Sequence, residues 1–173
     1  MLLRTLKLKD FRQFKGEQSV SFSVDPVRNV TVIMGENGSG KTTLAQAFTW
    51  CLYGDTDFDD KSMLCKATAQ SMLPNTEETV RVELALTHNG IEYLCIREQR
   101  YSKDSNGNLR RPNQPIFKIA YKGKDGQREY ISDTETEIRM KEILPKELSK
   151  YSFFAGDRIG NMGEQIKKAT NQV

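Results

Sequence analysis

The stretch Gly35-Glu36-Asn37-Gly38-Ser39-Gly40-Lys41-Thr42 constrains this chain more than any other. It fits the phosphate-loop pattern, Gly-x-x-x-x-Gly-Lys followed by Ser or Thr, at every required position. The apolar, β-branched run Val30-Thr31-Val32-Ile33-Met34 that precedes it predicts a strand. Leu44, Ala47, Phe48, Cys51 and Leu52 follow at spacings of three or four, which predicts a helix with one buried face. Strand, glycine loop and helix therefore follow in the order the motif demands.

The residue types suit the chemistry of anion binding. A loop that wraps a triphosphate must aim backbone N–H groups at its oxygens, and glycines permit both the unusual dihedrals and the close approach. The helix that starts after Gly40 adds unpaired N–H groups and the positive end of its dipole. The candidate nucleotide contacts are Asn37, Gly38, Ser39, Gly40, Lys41, Thr42 and Thr43. In such a loop the lysine bridges the β- and γ-phosphates and the hydroxyl beside it ligates Mg²⁺. Lys41 and Thr42 take those roles here, so ATP and Mg²⁺ are the expected cofactors, and Thr43 is the lesser metal candidate.

The bulk properties admit one domain with a sizeable core and exclude several other classes. With 37% hydrophobic and 28% charged residues among 173, the chain reads as a soluble globular protein. No segment is long and apolar enough to span a bilayer, and the opening MLLRTLKLKDF lacks the apolar core of a signal peptide. The expected location is therefore cytoplasmic, with no membrane partner. Cys51, Cys65 and Cys95 are too few and scattered for a disulfide framework or a metal knuckle. His88, beside Asn89-Gly90, reads as a turn residue.

Charge is uneven along the chain. The net value is only +3, but between Arg97 and Arg128 nine basic residues stand against three acids. Such a surplus suits either a polyanion or a solvated sheet face. Arg110, Arg111, Lys122 and Lys124 are the candidate contacts for such a polyanion within it.

The rest of the chain reads as an antiparallel meander. Leu2 to Phe11 alternates as a half-buried strand, Arg12 to Gly16 forms a basic turn, and Val20 to Val24 a second strand closed by Asp25-Pro26. Gly54 stops the first helix, and a polar connector runs from Asp55 to Glu78 with a short helix between Ser62 and Leu73. Thr79–Leu86 and Ile91–Arg97 flank Asn89-Gly90, a strong hairpin signal. Ser102 to Pro112 is a loop, and strands follow at Ile116–Tyr121 and Glu129–Ile131. Ser132-x-x-Glu135 is a capping box for a helix reaching about Leu144, stopped by Pro145. Tyr151–Phe154 is a short aromatic strand, and the polar tail from Ile159 is helical with almost no apolar face.

No run of four apolar residues ending in Asp-Glu follows Lys41, so the acidic strand that holds Mg²⁺ in hydrolytic phosphate-loop sites is missing. With that absence, four motifs resemble the amino-terminal ATPase lobe of the SMC-like ABC ATPases. They are Leu6-x-Leu8-x-x-Phe11-Arg12-x-Phe14, Gly35 to Thr43, Leu52-Tyr53-Gly54, and Phe153-Phe154-Ala155-Gly156-Asp157-Arg158-Ile159. The group includes the SbcC and RecF repair proteins and DndD, the ATPase associated with phosphorothioate DNA modification, and the last motif is most similar to DndD-like chains. Other SMC-like relatives carry a glutamine where Ala155 stands. Alanine cannot ligate a metal, so Asp157 becomes a possible metal ligand, against a plain helix-start charge.

The resemblance implies an α/β fold: the N-terminal lobe of a phosphate-loop ABC-type ATPase, with an antiparallel β-meander, the phosphate-loop helix and the start of a coiled coil. It divides the chain into residues 1–160, half of a nucleotide-binding head, and 161–173, the root of the coil. It implies that Arg12 approaches the nucleotide. A coiled coil and a carboxy-terminal lobe bearing the signature motif would complete the head, two heads would dimerise on ATP, and double-stranded DNA and further subunits would be partners. Modification, restriction, repair or phage defence are the DNA transactions it admits. The fragment alone would hydrolyse ATP slowly or not at all and holds no catalytic residue. A phosphate-loop kinase or nucleotide-sensing switch is the alternative.

Overall fold

The computed structural model describes residues 1–123 and 125–146. The expectations for Lys124, the aromatic strand at 151–154, Ala155, Asp157 and the coiled-coil root at 161–173 lie outside the described residues. Leu2–Phe11 forms β1 and Phe14–Ser21 forms β2, joined through the two turn residues Arg12 and Gln13. This hairpin is tighter than the sequence pattern predicted, and β2 begins six residues earlier than Val20. The Asp10 carboxylate accepts the Gly16 N–H at 2.9 Å and, with the register shift between Lys9 and Phe11, lets β2 pair with β1 from Phe14 onward.

The strand expected at Val30–Met34 does not form. The residues are irregular and open, with Val30 77%, Val32 75% and Met34 88% exposed. A strand needs a neighbour for its N–H and C=O groups, and this run pairs with neither β1, which lies between β2 and Glu77–His88, β3, nor any other strand of the sheet. Side chains hold the path instead. The Asp25 carboxylate accepts the N–H groups of Val27 and Arg28, and the Thr31 hydroxyl accepts that of Ser23.

Lys41–Tyr53 forms α1, and all five residues of its predicted apolar face are buried, with Thr43 and Trp50 beside them. Gly54 closes it at φ 74, a left-handed conformation suited to glycine, with its N–H on the Trp50 carbonyl at 2.9 Å. Lys66–Ser71 forms the short α2 of the connector. β3 and Ile91–Lys103, β4, turn through Asn89 and Gly90 at φ 49 and 78, as a two-residue primed turn requires. β4 runs six residues beyond the Arg97 predicted for its end. Leu109–Arg110, β5, folds back on it inside the stretch read as a loop.

Ile116–Lys122 and Arg128–Tyr130, β6 and β7, complete a seven-stranded sheet of order β2-β1-β3-β4-β6-β7, with β5 on the far end of β4. Alternation sends Leu6, Leu8, Val80, Val82, Leu84, Leu86, Cys95 and Ile119 to the face that packs on α1. Asp133–Ile143, α3, starts after Ser132 as expected, but the Ser132 hydroxyl donates to the Glu135 carboxylate at 2.8 Å and caps no backbone N–H. Tyr53 Oη donates to the Leu144 carbonyl at 3.0 Å and ties the end of α3 to the end of α1.

Candidate nucleotide site

The phosphate loop sits where the first turn of α1 emerges beside the β1–β2 turn. Gly40 has φ 104, and a Cβ there would stand 2.6 Å from Gln13 Nε2 and 2.8 Å from the Phe14 ring, so both backbone shape and space demand glycine. No side chain caps the helix, whose first internal bond runs from the Leu44 N–H to the Gly40 carbonyl at 2.8 Å. The preceding amides thus lack intrahelical acceptors and point, with the positive dipole end, at the loop.

The candidate side chains separate by exposure. Asn37, Ser39, Lys41 and Thr42 are exposed, whereas Thr43 is 7% exposed. Lys41 Nζ donates to the carbonyls of Gly35 and Glu36, at 2.6 and 2.7 Å, which holds the ammonium across the loop. The Thr43 hydroxyl donates to Gln13 Oε1 at 2.6 Å. Thr42 is therefore open to solvent at the helix start, and Thr43 faces the β1–β2 turn. Gln13 escaped the sequence reading, and only its place between Arg12 and Phe14 marked it.

Arg12 is engaged by the connector. Its Nη1 donates to the carbonyls of Ser62 and Asp60, at 2.6 and 3.1 Å, and lies 3.4 Å from the Asp60 carboxylate. The guanidinium stacks on Phe58 at 4.3 Å. The Ser62 N–H chiefly, and then Arg12, hold the Asp60 carboxyl below its ordinary range. Two adjacent turn residues thus tie the connector and the phosphate loop to the same hairpin tip.

The basic stretch is divided by the fold. Arg97 turns inward, donating to the carbonyls of Cys51 and Leu52 at 2.9 and 3.3 Å and stacking on Phe117 at 4.5 Å, so it caps the C-terminal end of α1. Burial lowers its pKa. Lys103 donates to the carbonyls of Ala69 and Met72, at 3.1 and 2.9 Å. Arg110 pairs with Asp104 at 2.9 Å, and Arg111 donates to the Lys61 carbonyl at 3.3 Å. Lys118, Lys122 and Arg128 are exposed on the sheet face away from α1. Ser102 pairs with Arg110, and Lys122 lies one residue beyond the Tyr93–Tyr121 pair, so about ten residues of β4, about 33 Å, separate Arg110 from Lys122.

Among the described residues no group of three or more His, Cys, Asp or Glu could hold a metal, and no helix is long and apolar enough to cross a membrane. Cys51, Cys65 and Cys95 are buried as free thiols. Desolvation pushes the Cys51 thiol up to about 12 and raises that of Cys95.

A family model described as AAA domain matches residues 5–172. The chain is also similar to proteins described as DNA double-strand break repair Rad50 ATPase. The one from Methanosarcina acetivorans is 31% identical over 105 residues, 61% of this chain. The one from Halobacterium salinarum is 36% identical over 89 residues, 51% of this chain. The chain spans 9% of the length of each of these relatives. A solved structure described under ATP-driven dimerization and DNA stimulated activation of SMC ATPases overlays with a TM-score of 0.44 at 15% identity, covering 96% of this chain and 99% of that one.

Proposed function

The chain belongs to the AAA domain family, and from that premise we propose that it is the ATP-binding part of a DNA-processing ATPase head of the SMC and Rad50 kind. The observation that carries this reading is the uncapped start of α1 behind Gly40, with Lys41 held across the loop and Thr42 open to solvent. Backbone amides there offer several donors to phosphate oxygens, and Lys41 adds a mobile positive charge once it exchanges loop carbonyls for an anion. The donor set fits a magnesium nucleotide, with Asn37 to Thr42 around the phosphates. The Thr42 hydroxyl would hold Mg²⁺, which when bound neutralises charge developing on the β- and γ-phosphates. Thr43 acts through the helix, and Arg12 approaches the nucleotide from the connector side. Asp157 remains a second metal candidate on sequence grounds alone.

The exposed run Val30–Met34 supports a head completed from elsewhere. A β-branched segment leading into a phosphate loop, with 43 to 88% of Val30, Val32, Ile33 and Met34 open, is a strand in want of neighbours. A carboxy-terminal lobe, joined through a coiled coil beginning near residue 161, would supply those neighbours, the acidic metal strand and the catalytic glutamate. The 173 residues alone then hydrolyse ATP slowly or not at all, and ATP closes two heads into a homodimer. The likeness of residues 153–159 to DndD-like chains supports a DNA modification, restriction or phage defence setting. The similarity to repair ATPases supports repair.

Double-stranded DNA is the partner we assign to the outer face of the meander. Arg110, Lys118, Lys122 and Arg128 line that face over about 33 Å, close to one turn of the duplex. Arg111 is a weaker candidate, and Lys124 stays one on sequence grounds alone. Replacing Arg110 and Lys122 with glutamate should weaken DNA binding and flatten its salt dependence, as fewer counterions are released. Unchanged affinity in that variant removes the assignment.

Calorimetric titration of magnesium ATP into wild type and Lys41→Ala tests the main reading. Wild type should bind, and the variant should lose at least about a hundredfold in affinity, because a charge-assisted contact to the phosphates is gone. Equal binding by the two would overturn it.

A further inference from the structure

Gln13 bears on the phosphate loop twice. Its Oε1 accepts the Thr43 hydroxyl at 2.6 Å, and its Nε2 lies 2.6 Å from the space a Cβ on Gly40 would need. Phe14 closes the same side, its ring 2.8 Å from where that Cβ would stand. Thr43 is buried, so its hydroxyl has little access to water as a substitute partner.

A threonine hydroxyl inside a helix has a competing acceptor, the carbonyl three or four residues earlier. For Thr43 those carbonyls belong to Gly40 and Ser39, which are themselves part of the phosphate loop. Whichever acceptor Thr43 takes therefore decides whether the loop backbone keeps its carbonyls undisturbed. Gln13 settles that choice by drawing the hydroxyl outward, toward the β1–β2 turn.

We propose that Gln13 is a positioning residue for the phosphate loop. It fixes the first turn of α1 through Thr43, and so sets the direction in which the amides of Lys41 and Thr42 and the Thr42 hydroxyl face the phosphates. Gln13 touches no substrate and acts only through Thr43 and Gly40. The inference rests on the nucleotide-binding reading and deepens it.

The test compares magnesium ATP with magnesium tripolyphosphate as titrants of the 173-residue chain. Gln13→Ala should raise both dissociation constants by about tenfold, the worth of one shielded hydrogen bond. Thr43→Val should do the same by an independent route, and Thr43→Ser, which keeps the hydroxyl, should stay within about twofold of wild type. The Gln13→Ala and Thr43→Val double variant should bind no worse than either single one, because both remove the same contact.

Additive losses in the double variant would overturn the proposal, as would a loss confined to ATP and absent for tripolyphosphate. A lowered melting temperature with unchanged dissociation constants would also overturn it, by reducing Gln13 to a packing residue. Lys41→Ala keeps the two readings apart. If wild type and Lys41→Ala bind alike, the nucleotide reading fails and takes this inference with it. If Lys41→Ala loses binding and Gln13→Ala does not, only the role of Gln13 falls.

Discussion

Val80 to Leu86 and Val30 to Met34 are stretches of similar chemistry with opposite fates. Val80, Val82, Leu84 and Leu86 are fully buried on β3, paired with β1 on one side and β4 on the other, under α1. Val30, Val32 and Met34 stand at least three-quarters exposed beside the candidate phosphate loop. β-propensity describes how well a residue fits a paired, half-buried surface, and it supplies neither the pair nor the cover. The same contrast separates stability from binding: the sheet and α1 hold the fold, while the lead-in and the loop carry the candidate site on little packing.

That separation can be broken from either side. Leu84→Ala should cost about 2–5 kcal/mol of unfolding free energy, read from urea denaturation, because a large side chain leaves a closed core. ATP affinity of the folded fraction should stay close to wild type. Lys41→Ala should do the reverse, losing at least about a hundredfold in ATP affinity with an unchanged urea midpoint, since the lysine is exposed. A stability loss in Lys41→Ala as large as that of Leu84→Ala would merge the two regions.

Alkali should act on the core and spare the lead-in. The Cys51 thiol, raised by burial from 9.0 to about 12, stays protonated in the folded chain while the unfolded chain ionises. Its contribution is whole below pH 9 and is lost progressively as pH climbs toward 12. By pH 10 the loss is about 1 kcal/mol. Comparing wild type with Cys51→Val across pH 8 to 10 isolates that thiol, and identical slopes would remove it from the account. The smallest effect should come from Val32→Thr, within about 0.5 kcal/mol of wild type in urea, because Val32 is already in water. A larger loss would mean that the lead-in is packed after all.

The periodic elements were legible from sequence because their signals are local. The five apolar positions of α1 name its buried face, Gly54 ends it, and Asn89-Gly90 sets the β3–β4 register. Boundaries were less legible: β4 runs on to Lys103 since β3 pairs with it as far as Ser102 and β5 with its last two residues, and β2 starts at Phe14 since β1 offers it a partner. Arg97 and Lys103 read as part of a basic surface, yet both spend their charge on helix-end carbonyls of α1 and α2. No spacing rule reveals such a contact across 30 to 50 residues of chain.

Sequence by itself determined the phosphate-loop motif, the helix behind it and the alternation of the meander, because each follows from a few neighbouring residues and the backbone's own geometry. Tertiary structure decided which threonine faces solvent, what Arg12 grips, that Gln13 underpins Gly40, and that Val30–Met34 stays unpaired. Those outcomes depend on which groups from distant segments arrive at the same place. Buried polar groups must find partners there, and a β-prone run stays irregular where no strand comes to pair with it.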